Sequence, residues 1–212
     1  MPLHPKKLHP VPLRVMHWIN AVTIFLMVGS GWKIYEDEVI FGWLHFPEWL
    51  TFGPWAQHGL QVHFFGMWIF AINGLAYLIY GFSTGRYRRM LLPIRISELI
   101  GDVKDALSFK LDHADTTHYN AVQKVLYIGV ILSGLLILLS GLTLWKPVQF
   151  SFLFALFGNF QNVRLVHFLC MAAIVGFVCV HVTLALLVPK TLVAMIGGGP
   201  VVEDDPLATP AN

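Results

Sequence analysis

Four runs of apolar residues, each about long enough to cross ~30 Å of hydrocarbon as a helix, constrain this chain more than any other feature. They extend from about Val15 to Trp32, Leu60 to Phe82, Ala121 to Trp145 and Val163 to Val188. Composition agrees. Of the 212 residues 56% are hydrophobic and 12% charged, with a mean hydropathy of +0.65, whereas a soluble domain carries about 25% charged residues. A disordered chain would be poor in apolar residues and rich in charge. The expected fold is all-α: an integral membrane four-helix bundle with short interfacial helices. Residues 1–14 are expected as an N-terminal tail, 15–197 as the transmembrane domain and 198–212 as a C-terminal tail.

The basic residues orient the bundle. Lys6, Lys7, Arg14, Arg86, Arg88, Arg89, Arg95, Lys104, Lys110, Lys124 and Lys190 fall on one side, 11 of the 14, against Lys33, Lys146 and Arg164 on the other. Cytoplasmic loops carry the excess of Lys and Arg, so both termini are expected in the cytoplasm. The first run follows Lys6, Lys7 and Arg14, but it is longer than a typical signal-peptide core of ~7–15 residues and no A-x-A site follows. It is expected as a retained helix.

The connecting segments have patterns of their own. Residues 36–58 are aromatic and slightly acidic, with Trp43, Trp49 and Trp55, and suit the periplasmic interface. Residues 94–111 read as an amphipathic cytoplasmic helix. Residues 148–162 read as a short interfacial or re-entrant piece. The tail from Glu203 is expected to be disordered. No internal repeat is evident. Cys170 and Cys179 are nine residues apart in one apolar run, too far apart on a straight helix for a disulfide. There is no C-x-x-C-H for covalent haem attachment and no zinc-ribbon pattern. The net charge of +2 and the lack of a long basic stripe argue against nucleic acid.

The histidines carry the chemistry. An ionisable residue inside a span is costly without a partner, and is a functional candidate by default. His17 lies near the cytoplasmic start of the first run and His63 near the periplasmic start of the second. His167 and His181 share the fourth. Fourteen residues of helix rise ~21 Å and turn nearly a whole number of times, so these two imidazoles share a face at opposite depths. Depth then matches His181 with His17 and His167 with His63. Two His pairs stacked through a bundle suit two bis-histidine haems of type b. A lone intramembrane His can equally serve as hydrogen-bonding glue. A di-metal transporter would want Asp or Glu beside the His, and the four spans contain neither. His58 competes with His63, five residues earlier and nearer the edge. Arg14 and Arg164 each stand three residues before a His, on the same helical face, where they could meet the haem carboxylates or simply snorkel.

The runs RVMHWINA (14–21), VHFFG (62–66), HYNAVQK (118–124) and RLVH (164–167), followed by His181, resemble prokaryotic di-haem cytochrome b of the cytochrome b561-like superfamily. That superfamily includes the membrane subunits of nickel–iron hydrogenase and formate dehydrogenase. The N-terminal and HYNAVQK segments look closest to thiosulfate-reductase-type subunits, often paired with a molybdopterin oxidoreductase. The resemblance spans about residues 9–197. It implies a bacterial inner-membrane electron-transfer subunit with two b haems on His17, His63, His167 and His181. Such a subunit passes electrons between a periplasmic redox partner and the quinone pool. It also maps the Asn of a quinone-site Y-N-A motif onto Asn120, where the residue two further on is Val122 rather than the Gly of the formate dehydrogenase subunit. By itself Asn120 reads equally as a helix cap. His118, Gln123 and Lys124 are candidates for quinone contact or proton delivery. The alternatives are a stand-alone quinone reductase oxidising a small diffusible donor, and a haem-free membrane anchor.

Overall fold

The computed structural model describes residues 6–107, 120–199 and 201–202. Four long helices correspond to the four apolar runs: α1 (Val11–Asp37), α2 (Ala56–Ser83), α5 (Ala121–Trp145) and α7 (Phe160–Leu187). At 25–28 residues each is roughly 38–42 Å long, enough to cross the hydrocarbon and emerge. Helices are what the solvent permits: in lipid each backbone polar group needs a partner within its own segment. Helix α5 coincides with its apolar run, while α1 starts at Val11 rather than Val15, with Pro12 in the first turn where proline is tolerated, and α7 at Phe160 rather than Val163, through the polar Gln161 and Asn162. Four short helices fill the connections: α3 (Arg86–Leu91), α4 (Ile96–Leu107), α6 (Ser151–Phe157) and α8 (Pro189–Gly197). Helices α4 and α6 lie where the amphipathic and interfacial pieces are expected. Cys170 and Cys179 are free thiols.

The chain divides into two compact units, Met1–Met16 with Tyr77–Gly129 and Cys179–Asn212, and His17–Ala76 with Val130–Val178. In the first unit the two ends of the chain are clasped. Strand β1 (Lys6–Lys7) pairs antiparallel with β2 (Val201–Val202), which lies in the segment expected as the C-terminal tail. The tail from Glu203 lies outside the described residues. Helix α8 is capped by Gly198, whose φ of +104° suits glycine in the left-handed region. Its last carbonyls accept from cations, Gly197 O from Lys7 Nζ at 2.8 Å and Ile196 O from Arg14, the favoured charge at a helix C-terminus.

Helix α3 is fixed to the end of α2 by Tyr87. Its hydroxyl donates to the Tyr77 carbonyl at 3.0 Å, and its ring lies where a Cβ on Gly81 would stand, 2.1 Å from Cζ. Burial pushes the Tyr87 phenol up from its ordinary value, so it remains a donor at any physiological pH. Helix α4 is tied to α5 through Asp102, whose carboxylate accepts from the Ala121 amide at 2.6 Å.

In the second unit all four long helices are in contact. Asn73 on α2 donates to Asn20 on α1 at 2.7 Å, Phe64 packs on Trp145 of α5 at 5.2 Å, and Tyr35 on Phe168 of α7 at 5.1 Å. The loop 38–55 folds back over α1. Phe52 donates its amide to the Gly29 carbonyl at 3.0 Å, and its ring occupies the space a Gly29 side chain would need. Phe46 stacks on Trp32 at 4.5 Å and gives its amide to Glu36 at 2.6 Å. His45 Nδ1 lies 3.0 Å from the other Glu36 oxygen. Arg164 closes the loop from α7, reaching the Glu38 carboxylate at 3.0 Å and its backbone carbonyl. Trp43 and Trp49 remain about 80% exposed.

Two outcomes follow. Gly81→Val should displace Tyr87 and cost about 1–3 kcal/mol, the usual range for overpacking. In detergent its thermal midpoint should fall, and adding Tyr87→Ala should not lower it by the full cost of the single change. The hydrogen bond to Glu36 raises the pKa of His45, so the charged pair anchors the loop fully below the ordinary histidine value of about 6.5. That contribution is lost as pH rises through the raised value. Exchange of the Phe46 amide, corrected for its intrinsic pH dependence, should quicken over that rise, and His45→Gln should abolish the change.

Candidate functional site: a histidine pair inside the bundle

His63 on α2 and His167 on α7 face one another in the second unit, ring centres 6.3 Å apart and planes inclined by 62°. Each ring is held by a serine on a third or fourth helix. Ser30 Oγ on α1 lies 3.0 Å from His63 Nδ1, and Ser140 Oγ on α5 lies 3.0 Å from His167 Nδ1. Both serines have 0% exposure. Each also satisfies itself within its own helix, Ser30 donating to Leu26 O at 2.7 Å and Ser140 to Leu136 O at 2.8 Å.

The residue after each serine is glycine. A Cβ on Gly31 would stand 3.3 Å from His63 Cε1, and one on Gly141 would stand 3.2 Å from His167 Cε1. Any larger residue would push the rings away from these helices. The site therefore consists of two equivalent halves, Ser30-Gly31 with His63 and Ser140-Gly141 with His167. This structural repeat escaped the sequence reading. A Ser-Gly dipeptide is too common to reveal it: Ser133-Gly134 occurs in the same α5 run, and the neighbour of Gly134 is Phe70.

The residues fit a haem iron. Metal–imidazole bonds are about 2.0–2.1 Å, so rings with centres 6.3 Å apart are close enough for both to reach one ion. With each Nδ1 engaged by serine, each Nε2 is the nitrogen left for a metal. Two protein ligands on facing helices of a bundle are what a bis-histidine haem requires.

His58 is exposed, edge-on to Trp55 at 4.6 Å, while His63 meets the serine and the second histidine. His17 on α1 stands edge-on to Trp18 at 5.4 Å in the second unit, and His181 on α7 belongs to the first. Arg164 bonds Glu38 and, at 2.9 Å, Gln161. Arg14 gives one nitrogen to Ile196 O, and its Nε is buried with no hydrogen-bond partner among the described residues. An unpaired buried guanidinium nitrogen fits a carboxylate such as a haem propionate.

Asn120 forms a reciprocal cap at the start of α5. Its Oδ1 accepts from the Gln123 amide at 2.8 Å, and Gln123 Oε1 accepts from the Asn120 amide at 3.1 Å, a capping box. Lys124 Nζ donates to Pro93 O at 3.2 Å. His118 lies outside the described residues. An apolar groove of about 390 Å³ on α1 and α2, lined by Ile19, Phe65, Trp68 and Ile72 among others, offers a single amide, Asn73, already bonded to Asn20.

Known proteins supply the context for this geometry. The profile of the prokaryotic cytochrome b561 family matches residues 8–198. A protein of Azospira oryzae, provisionally named protein-methionine-sulfoxide reductase subunit YedZ1, is 44% identical over 191 residues, covering 90% of this chain and 96% of its own. The cytochrome b556(Fdn) subunit of the nitrate-inducible formate dehydrogenase of Escherichia coli is 26% identical, covering 87% and 79%. A protein of Bradyrhizobium diazoefficiens, provisionally named a Ni/Fe-hydrogenase B-type cytochrome subunit, is 21% identical, covering 84% and 76%. With four apolar helices and a histidine pair fit for iron, this chain belongs to the prokaryotic cytochrome b561 family of multi-pass, haem b-binding inner-membrane cytochromes.

Proposed function

We propose that the chain is the di-haem membrane subunit of an oxidoreductase, passing electrons between a periplasmic redox partner and the quinone pool. The facing of His63 and His167 at 6.3 Å, each pinned at Nδ1, is the observation that carries this reading. Haem b, when bound, supplies a one-electron Fe(III)/Fe(II) couple. His63 and His167 hold one such group, and His17 and His181, matched on the sequence argument, hold the other. Arg14 supplies its buried Nε to a haem carboxylate. Arg164 serves the loop first, through Glu38, and stands three residues before His167.

Both termini lie in the cytoplasm, so the loop 38–55 faces the periplasm. Its exposed Trp43 and Trp49 form an apolar docking surface for a partner, since aromatic anchors dominate interface energetics. The name of the Azospira oryzae relative makes a protein-methionine-sulfoxide reductase the first partner to try. A molybdopterin oxidoreductase of another specificity is the broader class. Quinone is exchanged at the opposite face, near Asn120.

A reduced-minus-oxidised spectrum with haem quantified per chain tests the reading. Two haems are expected in the parent and one in His63→Ala or His167→Ala. A haem-free parent, after expression with ample haem, would return the chain to the membrane-anchor alternative. The quinone contact is tested by Asn120→Asp. Aspartate caps a helix as well as asparagine but lacks the amide donor. Haem content and thermal midpoint should be unchanged while the KM for quinone rises; unchanged quinone kinetics would remove Asn120 from the site.

A further inference from the structure

We infer that Ser30 and Ser140 are paired positioning residues that fix the tautomer of His63 and His167 and strengthen both imidazoles as donors to the iron. The inference rests on the haem reading above and adds to it two residues and a direction of effect.

The hydrogen-bond directions follow from elimination. A serine hydroxyl has one proton, and each of these donates it within its own helix. Ser30 Oγ lies 2.7 Å from Leu26 O and 3.2 Å from Met27 O, and Ser140 Oγ lies 2.8 Å from Leu136 O and 3.1 Å from Ile137 O. With the proton so placed, each Oγ can only accept at its 3.0 Å contact with Nδ1. Both rings therefore carry their proton on Nδ1 and leave the Nε2 lone pair for metal.

The contact does more than satisfy the serine. A serine within a helix is already satisfied by the carbonyl four residues back, so neither hydroxyl needs the histidine. The histidines need the hydroxyls, because a buried Nδ1–H without an acceptor is costly. The same relation occurs twice, on different helix pairs, and each time a glycine follows that lets the ring approach. An acceptor on the far nitrogen of a metal-bound imidazole fixes its orientation and raises its basicity. A more basic ligand favours the oxidised iron, so both serines hold the potential of their haem down.

The test uses the full chain with its haems, in detergent or nanodiscs. Ser30→Ala and Ser140→Ala should each raise the midpoint potential of one haem component and leave the other in place. Haem affinity should fall about 10–100-fold, and the double variant should shift further than either single one. Ser30→Thr and Ser140→Thr, which keep the hydroxyl, should restore the parental potential. In the reduced, diamagnetic parent, 15N-labelled histidine should show two exchange-protected Nδ1–H signals, one lost in each alanine variant. An unmoved potential with both Nδ1–H signals retained would overturn the inference while leaving the di-haem reading intact. A parent without haem would overturn both. If the alanine variants do not accumulate, the threonine variants and the parental Nδ1–H signals decide: absence of those signals refutes the serine contact.

Discussion

Hydrocarbon offers no hydrogen bonds, and the rest of this structure follows from that. Every backbone group inside the membrane must find its partner within the protein, which makes the long segments helical. The same demand extends to their few polar side chains. Thr23, Thr143 and Thr183 bond the carbonyl four residues back, and Asn73 bonds Asn20. A side chain that can satisfy itself locally stays silent. The histidines cannot, because imidazole has two nitrogens with opposite needs. In His63 and His167 one nitrogen meets a serine from another helix, so the candidate site lies where local satisfaction fails.

The fold was largely legible because hydropathy reports the same constraint. Four apolar runs gave four helices, and turn residues such as Gly158 bracketed the short ones. The ends were less legible. Helix α1 begins ahead of Pro12 and Arg14, and α7 ahead of Gln161 and Asn162, residues that interrupt the hydropathy signal. The clasp between Lys6–Lys7 and Val201–Val202 joins segments nearly two hundred residues apart, and two-residue strands leave no periodicity to detect. The fold-back of Phe52 onto Gly29 was equally hidden. It rests on one glycine carbonyl and one ring, in a loop whose composition announces only an interface.

At the candidate site, the two histidines were visible in the sequence and the serines beside them were not. His63 and His167 stand out as ionisable groups in apolar runs, and depth pairs them. Ser30 and Ser140 do not stand out, since serine is an ordinary guest in a membrane helix and Ser133 is as prominent in the sequence. Only the placing of α1 against α2 and α5 against α7 distinguishes them. The two halves match in geometry with different sequences and spacings, 33 residues from Ser30 to His63 and 27 from Ser140 to His167, so self-comparison of the sequence shows nothing. Asn120 had two readings from the start. The capping box engages its oxygen, and its amide group is the part a ligand would use.

The division of the site between two helical hairpins has a consequence for the life of the chain. His63 arrives with α2, early in synthesis, and His167 only with α7. Neither hairpin alone presents both histidines, so on the proposed reading a haem would be held from both sides only once α7 is in place. The binding energy of such a group becomes folding energy, and it grows with the logarithm of the free ligand concentration. On the haem reading proposed above, haem supply would therefore set the stability of the pair of hairpins that share the site.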